Sequence, residues 1–122
     1  MNLINRQATI KKKVSISGVT LHSGENCEIE LNPLPVNSGI FFNGVNLSPL
    51  NVYGTAGMTM LGKLNQIEHL CSCLYSFGID NLNIKTTKNE MPILDGCSRI
   101  FCDLIISSGI KYYEESKKKT NY

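Results

Sequence analysis

Long apolar runs are missing from this 122-residue sequence. No stretch approaches the roughly 20 consecutive apolar residues that cross a bilayer, and the amino terminus carries no continuous apolar secretory segment. The expectation is a cytoplasmic protein with no stable membrane insertion. Charge of one sign is equally scarce. Lys and Arg number 12 against 10 Asp and Glu, a net +2 that is too mild for a nucleic-acid surface. The basic residues gather in two short runs, Lys11 to Lys13 and Lys117 to Lys119, which read as solvated charge. No internal repeat is present, and the length holds one ordinary domain rather than two. The five cysteines, Cys27, Cys71, Cys73, Cys97 and Cys102, form an odd set without a secretory signal, which predicts reduced thiols. On a helix Cys71 and Cys73 diverge by about 200° and do not share an ion, so both are expected to be small packing residues.

What is present alternates. Arg6 to Ser17 is rich in β-branched residues and Lys, a loop follows from Gly18 to Gly24, and Cys27 to Leu31 alternates strictly. These read as two paired strands. Pro33 and Pro35 end the second, Ile40 to Phe42 forms a short third, and Asn43-Gly44 turns the chain, giving a small antiparallel sheet. Gly44 to Gly62, with several glycines and small polar residues, reads as a long loop. Asn65-Gln-Ile-Glu68 then carries a capping signature for a helix that ends near Gly78. Ile79 to Ile84 alternates as a strand. Asp95 reads as the N-cap of a second helix running to Ser108, with Gly109 as its stop. The cheapest burial for this order is an α+β, two-layer sandwich: a mixed, mainly antiparallel sheet with two helices packed on one face. The end of the chain, from about residue 113 to 122, is polar and expected to fray.

At 100° per residue, Leu64, Ile67, Leu70, Cys71 and Leu74 fall on one apolar stripe of the first helix. His69 falls on the opposite side with Asn65, Ser72 and Ser76, and Glu68 lies on the flank. A solvated helix face is the commonest explanation for such a pair. The chemical alternative is a metal-ligating imidazole beside a carboxylate that serves as general base for water. A catalytic zinc takes three protein ligands, and His22 is the only other histidine. His22 lies between two glycines and is expected to serve its loop rather than a metal.

Five collinear fragments carry a resemblance. They are Gly18-Val-Thr-Leu-His-Ser-Gly24, Pro33-Leu-Pro-Val-Asn-Ser-Gly39, Gln66-Ile-Glu-His-Leu70, Phe77-Gly-Ile-Asp-Asn81 and Met91-Pro-Ile-Leu-Asp-Gly96. Over residues 6 to about 112 the chain resembles the first domain of the zinc-dependent UDP-3-O-acyl-N-acetylglucosamine deacetylase family of lipid A synthesis, so residues 1–112 are expected to be that domain. The resemblance implies that His69 is a Zn2+ ligand. It also implies that Glu68 is the acid/base residue activating water to cleave the acetamido amide of an acylated UDP-amino sugar. Met58, Thr59, Met60 and Leu61 look like the retained part of a substrate-contacting insertion; they line an acyl site or tuck into a sheet edge. Thr20 stands where the family usually has glycine. In the family a second, similar domain supplies the remaining histidine and aspartate ligands. The expectation is therefore half of an amidase, completed by a separately encoded second domain or a homodimer partner. The alternative is a non-catalytic, single-domain homologue acting as a binding or self-association module.

Overall fold

Alternation along Asn26–Pro33 sets the centre of the fold: Cys27, Ile29 and Leu31 turn inward while Glu28 faces solvent. The structure, a computed structural model, describes residues 5–48, 52–55, 58–61, 64–65, 67–92, 94 and 98–117. In chain order its elements are β1 (Arg6–Ile10), β2 (Val14–Val19), β3 (Asn26–Pro33), β4 (Ile40–Phe42), β5 (Val45–Asn46), β6 (Val52–Thr55), β7 (Met58–Leu61) and β8 (Leu64–Asn65). Then follow α1 (Glu68–Phe77), β9 (Leu82–Thr86), α2 (Arg99–Ser108) and β10 (Ile110–Ser116).

The main sheet runs β2-β3-β9-β4-β5, antiparallel except for the parallel β4–β9 pair. A two-stranded β1-β10 ladder and a three-stranded β6-β7-β8 sheet complete the architecture. One core joins the layers: Ile29, Leu31, Leu82 and Ile84 from the sheet meet Leu70 and Leu74 of α1 and Phe101 and Ile105 of α2. Each such side chain removed from water contributes about 1.5–3 kcal/mol. The α+β class with helices against a mainly antiparallel sheet is as expected.

Local details depart from the expectation. The run from Arg6 to Ser17 is two strands, because Lys11 and Lys12 bend the chain from one ladder into another: β1 pairs with β10, β2 with β3. The strand predicted from Ile79 begins instead at Leu82. β4 does not extend an antiparallel opening sheet; it lies parallel beside β9. Asn43-Gly44 does turn the chain, with φ of 50° and 84°, the two positive values that a tight two-residue hairpin turn demands. The region read as a loop holds β5, β6 and β7, strands of two to four residues, too short for alternation to register. The fraying expected from residue 113 gives way to pairing through Ser116, where Tyr113 donates its hydroxyl to the Leu34 carbonyl at 2.7 Å.

A buried polar cluster fixes the loop between β3 and β4. Asn81 Oδ1 accepts the backbone N–H groups of Ser38 (2.9 Å) and Gly39 (3.0 Å), and its amide donates to Gln7 Oε1 (3.1 Å). Gln7 in turn donates to Asn37 Oδ1 (2.8 Å). Both Asn81 and Gln7 are buried, so this bonding is what makes their burial tolerable.

Candidate functional site at the start of α1

α1 begins without a side-chain cap. Its N-cap is Ile67, whose burial anchors the helix entry, and Asn65 belongs to β8 instead of capping the helix. Glu68 opens the helix and brings the only acidic side chain in its first turn, where a carboxylate offsets the positive end of the helix dipole. Leu70, Cys73 and Leu74 are the buried residues of α1; Cys71 is half-buried, so the apolar stripe is displaced toward Cys73. Glu68, Ser72 and Ser76 face solvent as expected, and so does Tyr75, whereas His69, expected on that side, is half-buried at its edge. Burial, with the Glu68 charge second, pushes the Cys71 thiol up to about 11 and keeps it protonated beside the pair.

Glu68 and His69 thus occupy the first turn of α1, Glu68 exposed and His69 half-buried. Among the described residues no three His, Cys, Asp or Glu side chains converge to hold a metal ion. The described part of this chain does not by itself make the zinc site that the resemblance implies. Met58 to Leu61 form β7, the middle strand of the three-stranded sheet, and their side chains lie outside the described residues.

The loop carrying His22 is held by a residue that the sequence did not single out. Glu90, buried, accepts the backbone N–H groups of His22 (2.7 Å) and Ser23 (3.3 Å). Thr20, also buried, bonds Ser23 Oγ through its hydroxyl and donates to the Glu25 carbonyl at 3.2 Å, so its side chain is used by the turn. Leu94 and Pro92 pack over Gly18 in β2: a Cβ there would meet Leu94 Cδ2 at 2.8 Å and Pro92 Cβ at 3.1 Å, so a larger residue would require these side chains to shift. A buried glutamate has no pattern in a single sequence, since Asn89-Glu90 reads as ordinary loop polarity.

α2 starts at Arg99 behind Ser98, with no side-chain cap. The N-cap predicted at Asp95 lies outside the described residues. Gly109 ends the helix, its N–H returning to the Ile106 carbonyl. Cys73 and Cys102, expected as reduced thiols, are joined in a disulfide between α1 and α2, with Cα atoms 5.5 Å apart. The packing of two neighbouring helices creates this proximity across 29 residues, and cysteine counting alone does not reveal it. Cys27 and Cys71 are free thiols. No helix among the described residues is long and apolar enough to cross a membrane.

Residues 7–122 match the protein family described as LpxC: UDP-3-O-acyl N-acetylglycosamine deacetylase. A UDP-3-O-acyl-N-acetylglucosamine deacetylase of Wolinella succinogenes is 44% identical over 115 residues, covering 86% of this chain and 39% of that protein. The protein of the same name from Wigglesworthia glossinidia brevipalpis is 41% identical over 127 residues, covering 93% of this chain and 43% of its own length. That of Sulfurimonas denitrificans is 38% identical over 122 residues, with 92% and 42% covered. The chain therefore spans about two-fifths of the length of these relatives. A match across nearly all of this sequence, with Glu68 and His69 opening a helix on the α+β scaffold just described, places the chain in the UDP-3-O-acyl N-acetylglycosamine deacetylase family.

Proposed function

We propose that this chain supplies half of a zinc-dependent amidase site that removes the acetyl group of UDP-3-O-acyl-N-acetylglucosamine, the other half coming from a second domain or a partner chain. The observation that carries the proposal is the placement of Glu68 and His69 on consecutive positions of the first turn of α1, with Ile67, Leu70 and Leu74 fixing that turn to the core. In this reading His69 would hold the zinc, with the remaining ligands coming from the other half. The ion, when bound, would polarise the acetamido carbonyl. The Glu68 carboxylate takes a proton from the attacking water as the C–O bond forms. It then hands the proton to the amine nitrogen as the C–N bond breaks, releasing acetate and the free amino sugar. Met58 to Leu61 contribute to the substrate surface, and the protein works in the cytoplasm without stable membrane insertion.

The test is zinc content and deacetylation of UDP-3-O-acyl-N-acetylglucosamine, measured for the protein alone and supplemented with the remaining segment of the Wolinella relative. The supplemented protein is expected to bind zinc stoichiometrically and to lose it on His69→Ala. Glu68→Gln keeps the metal and loses turnover by about 10²-fold or more. Zinc retained by His69→Ala overturns the ligand assignment. If no zinc binds under any of these conditions, the self-association reading replaces it, favoured by Tyr75 and Ile106, which stand 90% and 61% exposed on α1 and α2.

A further inference from the structure

Cys73 lies four residues, about one helical turn, after His69, and its side chain is almost fully buried in the core behind α1. Cys102, its partner on α2, is half-buried. Their Cα separation of 5.5 Å is one that a disulfide accommodates without backbone movement. The bond is the one covalent tie described between the helix bearing Glu68 and His69 and the helix beside it. With it broken, α1 keeps its packing against α2 and a hydrogen bond from the Cys73 sulfur to the Ser98 carbonyl at the start of α2 (3.0 Å), without the covalent restraint.

We propose that Cys73 and Cys102 form a reversible redox switch that sets how firmly α1 is held against α2. The unequal burial of the two residues assigns their roles. In the reduced protein Cys102, the less buried of the two residues, attacks a small-molecule disulfide; one S–S bond breaks, one small thiol leaves with the Cys102 proton, and a mixed disulfide forms. Cys73, too buried for a direct encounter with the oxidant, then attacks the Cys102 sulfur and expels the second small thiol, which takes the Cys73 proton. Two protein thiols lose two electrons and two protons, and the small disulfide is reduced to two thiols. Excess thiol reverses both steps. Cys71, although only two residues from Cys73, points to a different side of the helix and remains a free thiol.

The proposal concerns the mobility of α1, so its readouts stand whether or not Glu68 and His69 catalyse. The purified protein is equilibrated with oxidised glutathione or with dithiothreitol, denatured, alkylated and mapped by peptide mass. Hydrogen exchange of residues 68–77 is followed in both states. A Cys73–Cys102 cross-linked peptide is expected with oxidised glutathione and not with dithiothreitol. The α1 amides are expected to exchange several-fold more slowly in the oxidised protein, because opening of the helix is restrained. Cys102→Ala and Cys73→Ala, each checked for native circular dichroism, both abolish the cross-link and the difference in exchange. The proposal is overturned by absence of the cross-link, by a cross-link that dithiothreitol does not reverse in the folded protein, or by identical exchange in the two states.

Discussion

At its C-terminal end α1 stops on Gly78 and is tied down from several directions, whereas at its N-terminal end it starts from Ile67 with no side-chain cap and presents Glu68 to water. Gly78, at φ 68°, returns its N–H to the Tyr75 carbonyl at 3.1 Å, and Ile79 donates to the Leu74 carbonyl at 2.9 Å, the double closure that a left-handed glycine permits. Lys117 from the end of β10 donates to the Gly78 carbonyl at 2.8 Å and pairs with Asp80, which also accepts the Ala8 N–H at 2.9 Å. A cleft of about 550 Å3 beside Tyr75, Tyr112 and Lys117 belongs to this tied end, not to the end that carries Glu68 and His69. The contrast separates two tasks within ten residues. Polar groups that bond each other fix the C-terminal end of the helix in the fold, while Glu68 at the other end is left facing solvent.

The comparison breaks first at Asp80. Asp80→Ala leaves the N–H of the fully buried Ala8 without that acceptor and Lys117 without its anion, and is expected to destabilise the protein by about 2 kcal/mol in denaturant titration. A loss below half a kilocalorie would mean that the tied end is not what holds the helix. Gly78→Ala forces a Cβ into positive φ and should cost about 1 kcal/mol, read as a lower thermal midpoint with α1 intact by circular dichroism. The smallest effect belongs to the other end. Glu68→Gln should change unfolding free energy by no more than about 0.5 kcal/mol, as exposed substitutions do, and His69→Ala, at a half-buried position, by less than about 1 kcal/mol. A large loss from either would make this pair part of the scaffold and remove the distinction between the two ends.

Much of this was legible because it depends on neighbours in sequence. The α1 helix and its stop at Gly78, the turn at Asn43-Gly44, the α+β class and the five family fragments come from local patterns of polarity and backbone freedom. The same local reasoning misplaced the start of α1: Asn65-Gln-Ile-Glu68 has the letters of a capping box, yet Asn65 pairs with Met60 across β7 and β8, and that strand pairing displaces the start of the helix to Glu68. Lys11 and Lys12 hid a change of ladder inside one apparent strand, and β10 was hidden by polarity, since an outer strand with most of its side chains exposed looks like a tail. At the candidate site the pair itself was legible, but the half-burial of His69 was not, because it depends on what packs against the flank of the helix.

By itself the sequence determined the two helices, the longer alternating strands and the family fragments, through alternation, glycine positions and the order of its motifs. Tertiary structure alone decided that β4 runs parallel to β9, that Glu90 binds the His22 loop, and that Cys73 meets Cys102. The physical reason is distance along the chain. Each of these contacts joins residues 29 or more positions apart, as in His22 with Glu90 at 68, so it forms only when burial of the common core brings distant segments together.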